Sequence, residues 1–196
     1  ALGDDISYEE AEKYFVGLMN TKASELGCKE SNFANPHGYH DDNHYTTAYD
    51  MSLIAQACME YDIIAEAARE TKFSGNSAGN QKYNVDGKTA EYTWYSHNEL
   101  ITNGANHYEY ATGIKTGFTD QAGDCLAASA TKDNENLIAI IMNSEDPGRW
   151  QDAKILFDWA FENYDMIEYR QSGVAATAKL SGHNRLKGDT AEIKIE

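Results

Sequence analysis

The chain has 196 residues, which is enough for one full domain and a small additional module. Acidic side chains number 32 against 16 basic ones, and the net charge of −16 makes the surface repel nucleic acid and anionic lipid. No apolar run is long enough to span a bilayer, and the three cysteines include no C-x-x-C pair, which argues against a disulfide framework or a zinc knuckle.

Helical patterns open the chain. Ser7 and Glu10 form a capping box, and the apolar residues that follow recur at helical spacing, so we predict a first helix over about 8–26. Thr47 begins a second helix, and Asp62 caps a short third one over 63–69. We expect two sets of apolar side chains to face the core: Leu53, Ile54, Ala57, Cys58 and Tyr61 in the second helix, and Ile63, Ile64 and Ala67 in the third.

A polar loop with three histidines separates the first two helices. His37, His40 and His44 lie near two aspartates, and imidazole and carboxylate groups are good metal ligands. Spacing within a loop does not guarantee a shared face, however. We therefore favour an ordered loop in which some imidazoles bond to the backbone, and we leave a metal site open as the alternative.

The stretch from Lys72 to Lys88 is polar and contains several glycines, which predicts a long excursion. A short strand pair, formed around Phe73 and by residues 83–85, fits within it. Two S-x-N sequences occur here and just beyond, and because neither lies in a loop between helices, we interpret both as chance matches. They are Ser74-Gly75-Asn76 and Ser96-His97-Asn98.

The most informative stretch is 113–120, which contains Lys-Thr-Gly and reads as a strand. Two apolar runs follow it, at 125–131 and 137–143, and a polar turn joins them into a hairpin. Asp146-Pro147 then opens a helix that ends near Tyr164. Its predicted buried face comprises Trp150, Ala153, Leu156, Phe157, Ala160 and Phe161. Alternating apolar residues in 174–180 and 191–195 predict two further strands.

Each residue of the Lys-Thr-Gly stretch has a physical role if the strand borders a cleft. Lys115 would place a cation there, which attracts a carboxylate and lowers the proton affinity of a neighbouring hydroxyl. Thr116 would add a stiff, well-aimed hydroxyl, and Gly117 would leave room for a substrate backbone along the strand. The N–H of Phe118 would then form half of an oxyanion hole. The alternative is a tight turn with a surface lysine.

Several blocks taken together resemble the serine-type D-alanyl-D-alanine carboxypeptidases, the low-molecular-mass penicillin-binding proteins of the peptidase S11 family. Lys-Thr-Gly is one of the motifs of this group of enzymes. The resemblance covers roughly residues 10–165, and it reassigns the histidine loop from a metal candidate to part of the family framework. In chain order, the matching blocks are Phe15 to Gly27, Asn32 to Gly38, His44 to Asp50, Asn98 to Ile101, and Gly113 to Ala130.

The resemblance implies an α/β (α+β) fold with an antiparallel sheet flanked by helices, as in serine β-lactamases and transpeptidases. Residues 1–168 would be the C-terminal part of the catalytic domain, and 169–196 the beginning of a small β-rich domain. It also implies an extracytoplasmic enzyme that removes the terminal D-alanine from peptidoglycan stem peptides ending in D-Ala-D-Ala. Such enzymes form a serine acyl-enzyme and bind β-lactam antibiotics. No metal, organic cofactor or nucleic acid partner is implied, and membrane contact would come only through segments absent from this chain.

Carried over by position, Lys115, Thr116, Gly117 and the amide of Phe118 would form one wall of the active site, with Lys115 and Thr116 holding the substrate carboxylate. The family's nucleophile lies in S-x-x-K, and S-x-N assists it. We expect both to lie outside this chain, which would then not be acylated alone and would leave an open sheet edge. Two alternatives stay open: a β-lactamase of the same fold, and a non-catalytic peptidoglycan-binding relative.

Overall fold

A computed structural model describes residues 6–78, 85–86 and 88–164, together with the backbone of 176–179 and 190–193. Within these ranges the helices are α1 (Tyr8–Glu25), α2 (Ala48–Met59), α3 (Asp62–Arg69) and α4 (Gly148–Asn163). The strands are β1 (Lys72–Asn76), β2 (Glu91–Tyr95), β3 (Ala111–Thr119), β4 (Gly123–Lys132), β5 (Glu135–Ser144), β6 (Ala176–Lys179) and β7 (Thr190–Ile193).

The central sheet is antiparallel, with the strand order β3-β4-β5, and this confirms the predicted fold class and the predicted hairpin. Lys115 lies opposite Ala127, and Ala128 lies opposite Ala139. Asp133 and Asn134 close the hairpin with φ angles of 50° and 69°. Short polar side chains tolerate this left-handed conformation better than most residues do, which is why the polar turn falls there.

One face of the sheet carries the hydrophobic core. Leu126, Ala128 and Ala130 alternate along β4 toward α4, whose Trp150 and Phe157 are fully buried against them. The helix therefore lies where its apolar face predicts. Leu156 is the exception, because it is 46% exposed and lies off this face. The prediction that it belongs to the buried face is wrong.

The opposite face of the sheet is covered by α2 and α3. Gly113 makes this approach possible, because a Cβ placed there would come within 2.9 Å of the Ala68 Cβ. The prediction of the inward residues is partly wrong. Tyr61, Ile63 and Ile64 are exposed, and so is Ala67, since α3 turns Ala65 and Ala68 inward instead.

The strand predicted around Phe73 is formed, but it does not pair with the predicted segment. The strand around Phe73 is β1, and it pairs antiparallel with β2 and not with residues 83–85. Of the predicted partner segment, residues 83 and 84 lie outside the described residues, and Val85 forms an isolated bridge with Lys88. The aromatic run in Glu91–Tyr95 is the better strand because aromatic side chains favour pleated structure.

Polar contacts cap the starts of α1 and α2 and join α1 to the histidine loop. The capping box of Ser7 and Glu10 is formed as predicted. The Asn20 side chain donates to the Phe33 carbonyl and accepts from the Phe33 N–H, both at 2.8 Å. Thr47 caps α2 through the Asp50 N–H. The two bonds between Asn20 and Phe33 join α1 to the histidine loop and help to order it.

Asp50 is the most deeply buried charged residue described, at 2% exposure. Its carboxylate accepts hydrogen bonds from the Ser31 hydroxyl (2.7 Å) and from the N–H groups of Glu30 (2.8 Å) and Lys29 (3.1 Å). The Ser31 bond is the largest of the contributions that hold the pKa of Asp50 below its usual value, against the opposing effect of burial.

In the tail, β6 pairs antiparallel with β7, which confirms two strands within the predicted segments. The proposed domain boundary between 168 and 169 lies outside the described residues and stays a prediction. None of the described helices combines the length and apolar character needed to cross a membrane. The three cysteines are free and half-buried, and burial raises the pKa of the Cys28 and Cys58 thiols.

Truncating Phe157 tests the packing of α4 on the sheet. We expect Phe157→Ala to lower the free energy of unfolding by about 3–5 kcal/mol, because it leaves a cavity against β4. The matched variant Ile155→Ala, on the same helix but 65% exposed, should change it by less than about 1 kcal/mol. Urea denaturation measures both, and equal losses would contradict the assigned buried face.

Replacing Asp50 tests its charge. An aspartate with a lowered folded-state pKa stabilises the fold above its unfolded pKa, about 3.9, and loses that contribution as the pH falls through the folded value. The gap in urea midpoint between wild type and Asp50→Asn should therefore be largest at neutral pH and shrink below about pH 4. Asp152→Asn, on an exposed residue of α4 with which no described residue forms an ion pair, is the matched control and should show no such trend. A gap independent of pH would refute a role for the charge.

Candidate active site

The predicted site residues lie on the outer edge of β3. This strand pairs with β4 on one side, and no described strand pairs with its other side. Lys115, Gly117 and Phe118 are exposed along this edge, and Thr116 is half-buried. The Lys115 ammonium donates to the Thr116 carbonyl at 2.6 Å. The structure therefore brings all four residues together on a strand and not in a turn.

An open cleft of about 830 Å³ runs along this edge. Its second wall comes from the segment that follows β2 and from the start of α4. The lining residues are Ser96, His97, Glu99, Lys115, Thr116, Gly117, Phe118, Asp124, Asp146 and Arg149. Residues far apart in the sequence thus face one space, and the four predicted residues supply one of its walls.

The charges in the cleft leave Lys115 free to bind an anion. Arg149 is 14% exposed and forms ion pairs with Asp124 at 2.5 Å and with Asp146 at 3.8 Å. Glu99 accepts a hydrogen bond from the Asn106 amide. Of the lysines and arginines in this lining, Lys115 is the one for which the described residues supply no carboxylate partner. An anionic ligand would therefore find its counter-charge there.

Gly117 keeps the middle of the edge open. No heavy atom of the described residues lies within 4 Å of the point where a Cβ would stand, leaving aside its two neighbours in the chain. The glycine is therefore not required by packing inside this part of the protein. A ligand backbone can approach the strand at this position, where a side chain would otherwise stand.

The cleft includes residues that sequence reasoning did not select. Ser96 and His97 belong to an S-x-N sequence interpreted as a chance match, and both lie in the lining with Lys115. The segment is fixed by three bonds: Ser96 N–H to the Thr71 carbonyl, Asn98 N–H to the Ser96 hydroxyl, and Leu100 N–H to the Asn98 side chain. The available signals were that literal match and the adjoining family block at Asn98 to Ile101. Arg149 had none, because its role depends on the turn between β5 and α4.

We expected S-x-x-K to lie outside this chain. This is wrong as far as the literal pattern goes, because the chain contains one S-x-x-K sequence, Ser129 to Lys132. The structure places it on β4, where side chains three residues apart point to opposite faces. Ser129 is 4% exposed and shares a hydrogen bond with the Thr112 hydroxyl. The Lys132 ammonium lies 5.1 Å from the centre of the Tyr110 ring. The serine and the lysine therefore cannot act together as nucleophile and base.

The histidine loop is ordered by imidazole bonds to the backbone, as expected. His37 Nδ1 accepts from the Tyr39 N–H, and His44 Nδ1 accepts from the Ala34 N–H, both at 3.2 Å. Burial lowers the pKa of His44, which favours this neutral acceptor. The part of the chain that the structure describes holds no group of three or more potential metal ligands.

Comparison with known proteins identifies the family to which the chain is similar. Residues 1–146 match the peptidase S11 family, described as D-alanyl-D-alanine carboxypeptidase. The chain is 34% identical to D-alanyl-D-alanine carboxypeptidase DacF of Bacillus subtilis, over 92% of this chain and 43% of that protein. It is 34% identical to DacA of Escherichia coli, over 78% of this chain and 34% of the relative. The chain thus spans less than half the length of these relatives.

A solved structure shares the fold. The Streptomyces K15 DD-transpeptidase superposes with a TM-score of 0.71 and 25% identity, covering 82% of this chain and 58% of that one. Most of this chain accordingly has a counterpart in a known fold, and the match to the family extends over residues 1–146. The chain belongs to the peptidase S11 family of D-alanyl-D-alanine carboxypeptidases.

Proposed function

We propose that this chain forms one wall of the active site of a serine D-Ala-D-Ala carboxypeptidase. The enzyme removes the terminal D-alanine from peptidoglycan stem peptides outside the cytoplasm, and β-lactam antibiotics acylate it. One observation carries the proposal: Lys115, Thr116, Gly117 and Phe118 lie together along an edge of β3 that no described strand pairs with, and this edge lines an open cleft. Family membership supports the choice of reaction.

Lys115 and Thr116 hold the carboxylate of the substrate's terminal D-alanine. The ammonium group has no carboxylate partner among the described residues of the cleft, so it meets a substrate carboxylate without first breaking an ion pair. Thr116 is half-buried and is the next residue along β3, and its β-branched side chain limits the rotation of the hydroxyl. Hydrogen bonds with a charged partner are the stronger kind, so this pair fixes the end of the peptide.

The open space at Gly117 admits the substrate backbone along β3, where pairing with a free strand edge supplies main-chain hydrogen bonds. The Phe118 N–H donates to the carbonyl oxygen of the scissile bond. As negative charge develops on this oxygen, a donor already in place stabilises it without reorganising.

The nucleophile is a serine of the full-length protein that is not among these 196 residues. Its oxygen attacks the carbonyl carbon of the penultimate D-alanine, forming an ester while the C–N bond breaks and the leaving amine takes a proton. Water then hydrolyses the ester and releases the shortened peptide. Residues of this chain bind, orient and polarise the substrate in both steps.

The full-length gene product tests the reaction. We expect it to release D-alanine from a peptide ending in D-Ala-D-Ala and to be acylated by labelled penicillin. Fast turnover of nitrocefin without release of D-alanine would identify a β-lactamase of the same fold instead. Neither acylation nor hydrolysis would leave a non-catalytic peptidoglycan-binding relative.

Lys115→Ala in the full-length protein should lower the rate constant of acylation by penicillin about ten- to hundredfold, the loss expected for one charged hydrogen bond. Labelled penicillin measures this rate. Lys132→Ala is the matched control and should acylate normally, because its ammonium packs near the Tyr110 and Phe161 rings on another surface. Normal acylation of Lys115→Ala would show that Lys115 has no role in the mechanism. Loss of acylation in Lys132→Ala would contradict the conclusion that Ser129 and Lys132 do not act as nucleophile and base.

Gly117→Val separates ligand access from folding. The space around Gly117 is open and valine favours strands, so the melting temperature should not fall. Acylation by penicillin should nevertheless drop at least about tenfold, because the side chain occupies the path of the ligand. Thermal denaturation and penicillin labelling of the same preparation give both values. A stable variant with unchanged acylation would show that no ligand lies along this strand.

A further inference from the structure

A second cleft, of about 330 Å³, opens beside the candidate active site, and we call it the side cleft. It shares part of its lining with the first cleft, including Lys115 and Thr116, which hold the substrate carboxylate in the proposed function. Gly117 and Phe118, along which the rest of the peptide runs, line only the first of the two clefts. The side cleft therefore lies at the carboxylate end of the bound peptide.

Half of the residues that line the side cleft are apolar or aromatic. Helix α3 supplies two alanines, the β1–β2 hairpin supplies three aromatic rings, and β3 supplies an isoleucine. Glu70 is the one carboxylate in this lining, and it repels an anionic group. The space therefore suits an uncharged, apolar ligand group. The apolar and aromatic residues are Ala67, Ala68, Phe73, Trp94, Tyr95 and Ile114.

Two rings of this lining are held in place and keep free surface. The register of the hairpin places Phe73 opposite Trp94, and the two rings stack with their centroids 5.8 Å apart and an interplanar angle of 30°. Phe73 and Trp94 nevertheless remain 60% and 55% exposed. Because the rings already support each other, a ligand group can cover their apolar surface without first ordering them.

The terminal residue is the part of the substrate that reaches the side cleft. Its side chain branches from the carbon atom that bears the carboxylate, and Lys115 and Thr116 hold that carboxylate where the two clefts meet. The rest of the peptide leaves toward Phe118. The methyl group of D-alanine fills little of the space, since clefts of roughly 300–1,000 Å³ typically hold whole small-molecule ligands.

We propose that the side cleft binds the side chain of the residue that the enzyme releases, and that the substrates include peptides ending in an apolar D-amino acid larger than alanine, such as D-phenylalanine. This inference rests on the proposed function and extends its substrate class. The chemistry is the same. The serine oxygen displaces the larger D-amino acid, whose amine takes the proton, and water then hydrolyses the acyl-enzyme.

The test uses the full-length protein and two stem peptides that differ only in the terminal residue, D-alanine or D-phenylalanine. The readout is the kcat/KM for the D-phenylalanine peptide divided by that for the D-alanine peptide. We expect a wild-type ratio of at least about 0.1, because the side cleft accommodates the ring and covers its apolar surface.

Two variants test the side cleft itself. Ala67→Leu narrows it at an exposed position of α3 and should lower the ratio at least about tenfold. Its matched control, Ala48→Leu, enlarges an exposed alanine of α2 outside both clefts and should leave the ratio unchanged. Trp94→Ala removes an aromatic contact and should lower the ratio about two- to tenfold. Trp159→Ala, which removes a 50% exposed tryptophan from α4, is its control.

Calorimetric titration with the same two peptides measures binding without catalysis. Ala67→Leu should weaken binding of the D-phenylalanine peptide more than binding of the D-alanine peptide. If the wild type cleaves neither peptide, the proposed function is refuted, and this comparison still decides the inference. Equal effects on the binding of both peptides would then overturn it. Where the D-alanine peptide is cleaved, a wild-type ratio below about 0.1, or a ratio unchanged in both Ala67→Leu and Trp94→Ala, would overturn the inference and leave the proposed function intact.

Discussion

The structure depends on β3, which pairs with β4 on one side and with no described strand on the other. β4 holds β3 through its backbone, while the outer N–H and C=O groups of β3 face the cleft. A free edge is a liability in most proteins because it invites unwanted pairing. Here the edge carries a charged lysine next to a bare glycine, a combination that limits association and still admits one extended ligand. Two helices support this sheet: α3 contacts β3 at Gly113, and α4 packs against β4.

Electrostatics gives that edge its selectivity. A chain with a net charge of −16 repels anions in general, so a carboxylate ligand needs a local cation that is not already neutralised. The two cations of the cleft, Arg149 and Lys115, have different roles. Arg149 is fixed by Asp124 and Asp146 and joins the start of α4 to the sheet, whereas Lys115 bonds a backbone carbonyl and keeps its charge available.

The surroundings of the cleft are assembled from segments that polar contacts hold in place. Asp50 and Asn20 order the histidine loop against α1 and α2, and the bonds around Ser96 and Asn98 set the segment that leaves the hairpin. Rigid surroundings of this kind allow a small number of groups on β3 to act on a ligand without first being ordered.

The sequence by itself determined what depends on local pattern: the capping box at Ser7, the three strands after residue 110, the turn at Asp133 and the family motif at Lys115. Those signals lie within a few residues of one another. The sequence did not predict the features that depend on contacts between residues far apart in the chain. Local patterns did not show whether β1 would pair with 83–85 or with Glu91–Tyr95, or that Leu156 and Ile63 would face outward. Only the tertiary structure brought His97 and Arg149 to Lys115, because the packing of separate elements sets which side chains share a cleft.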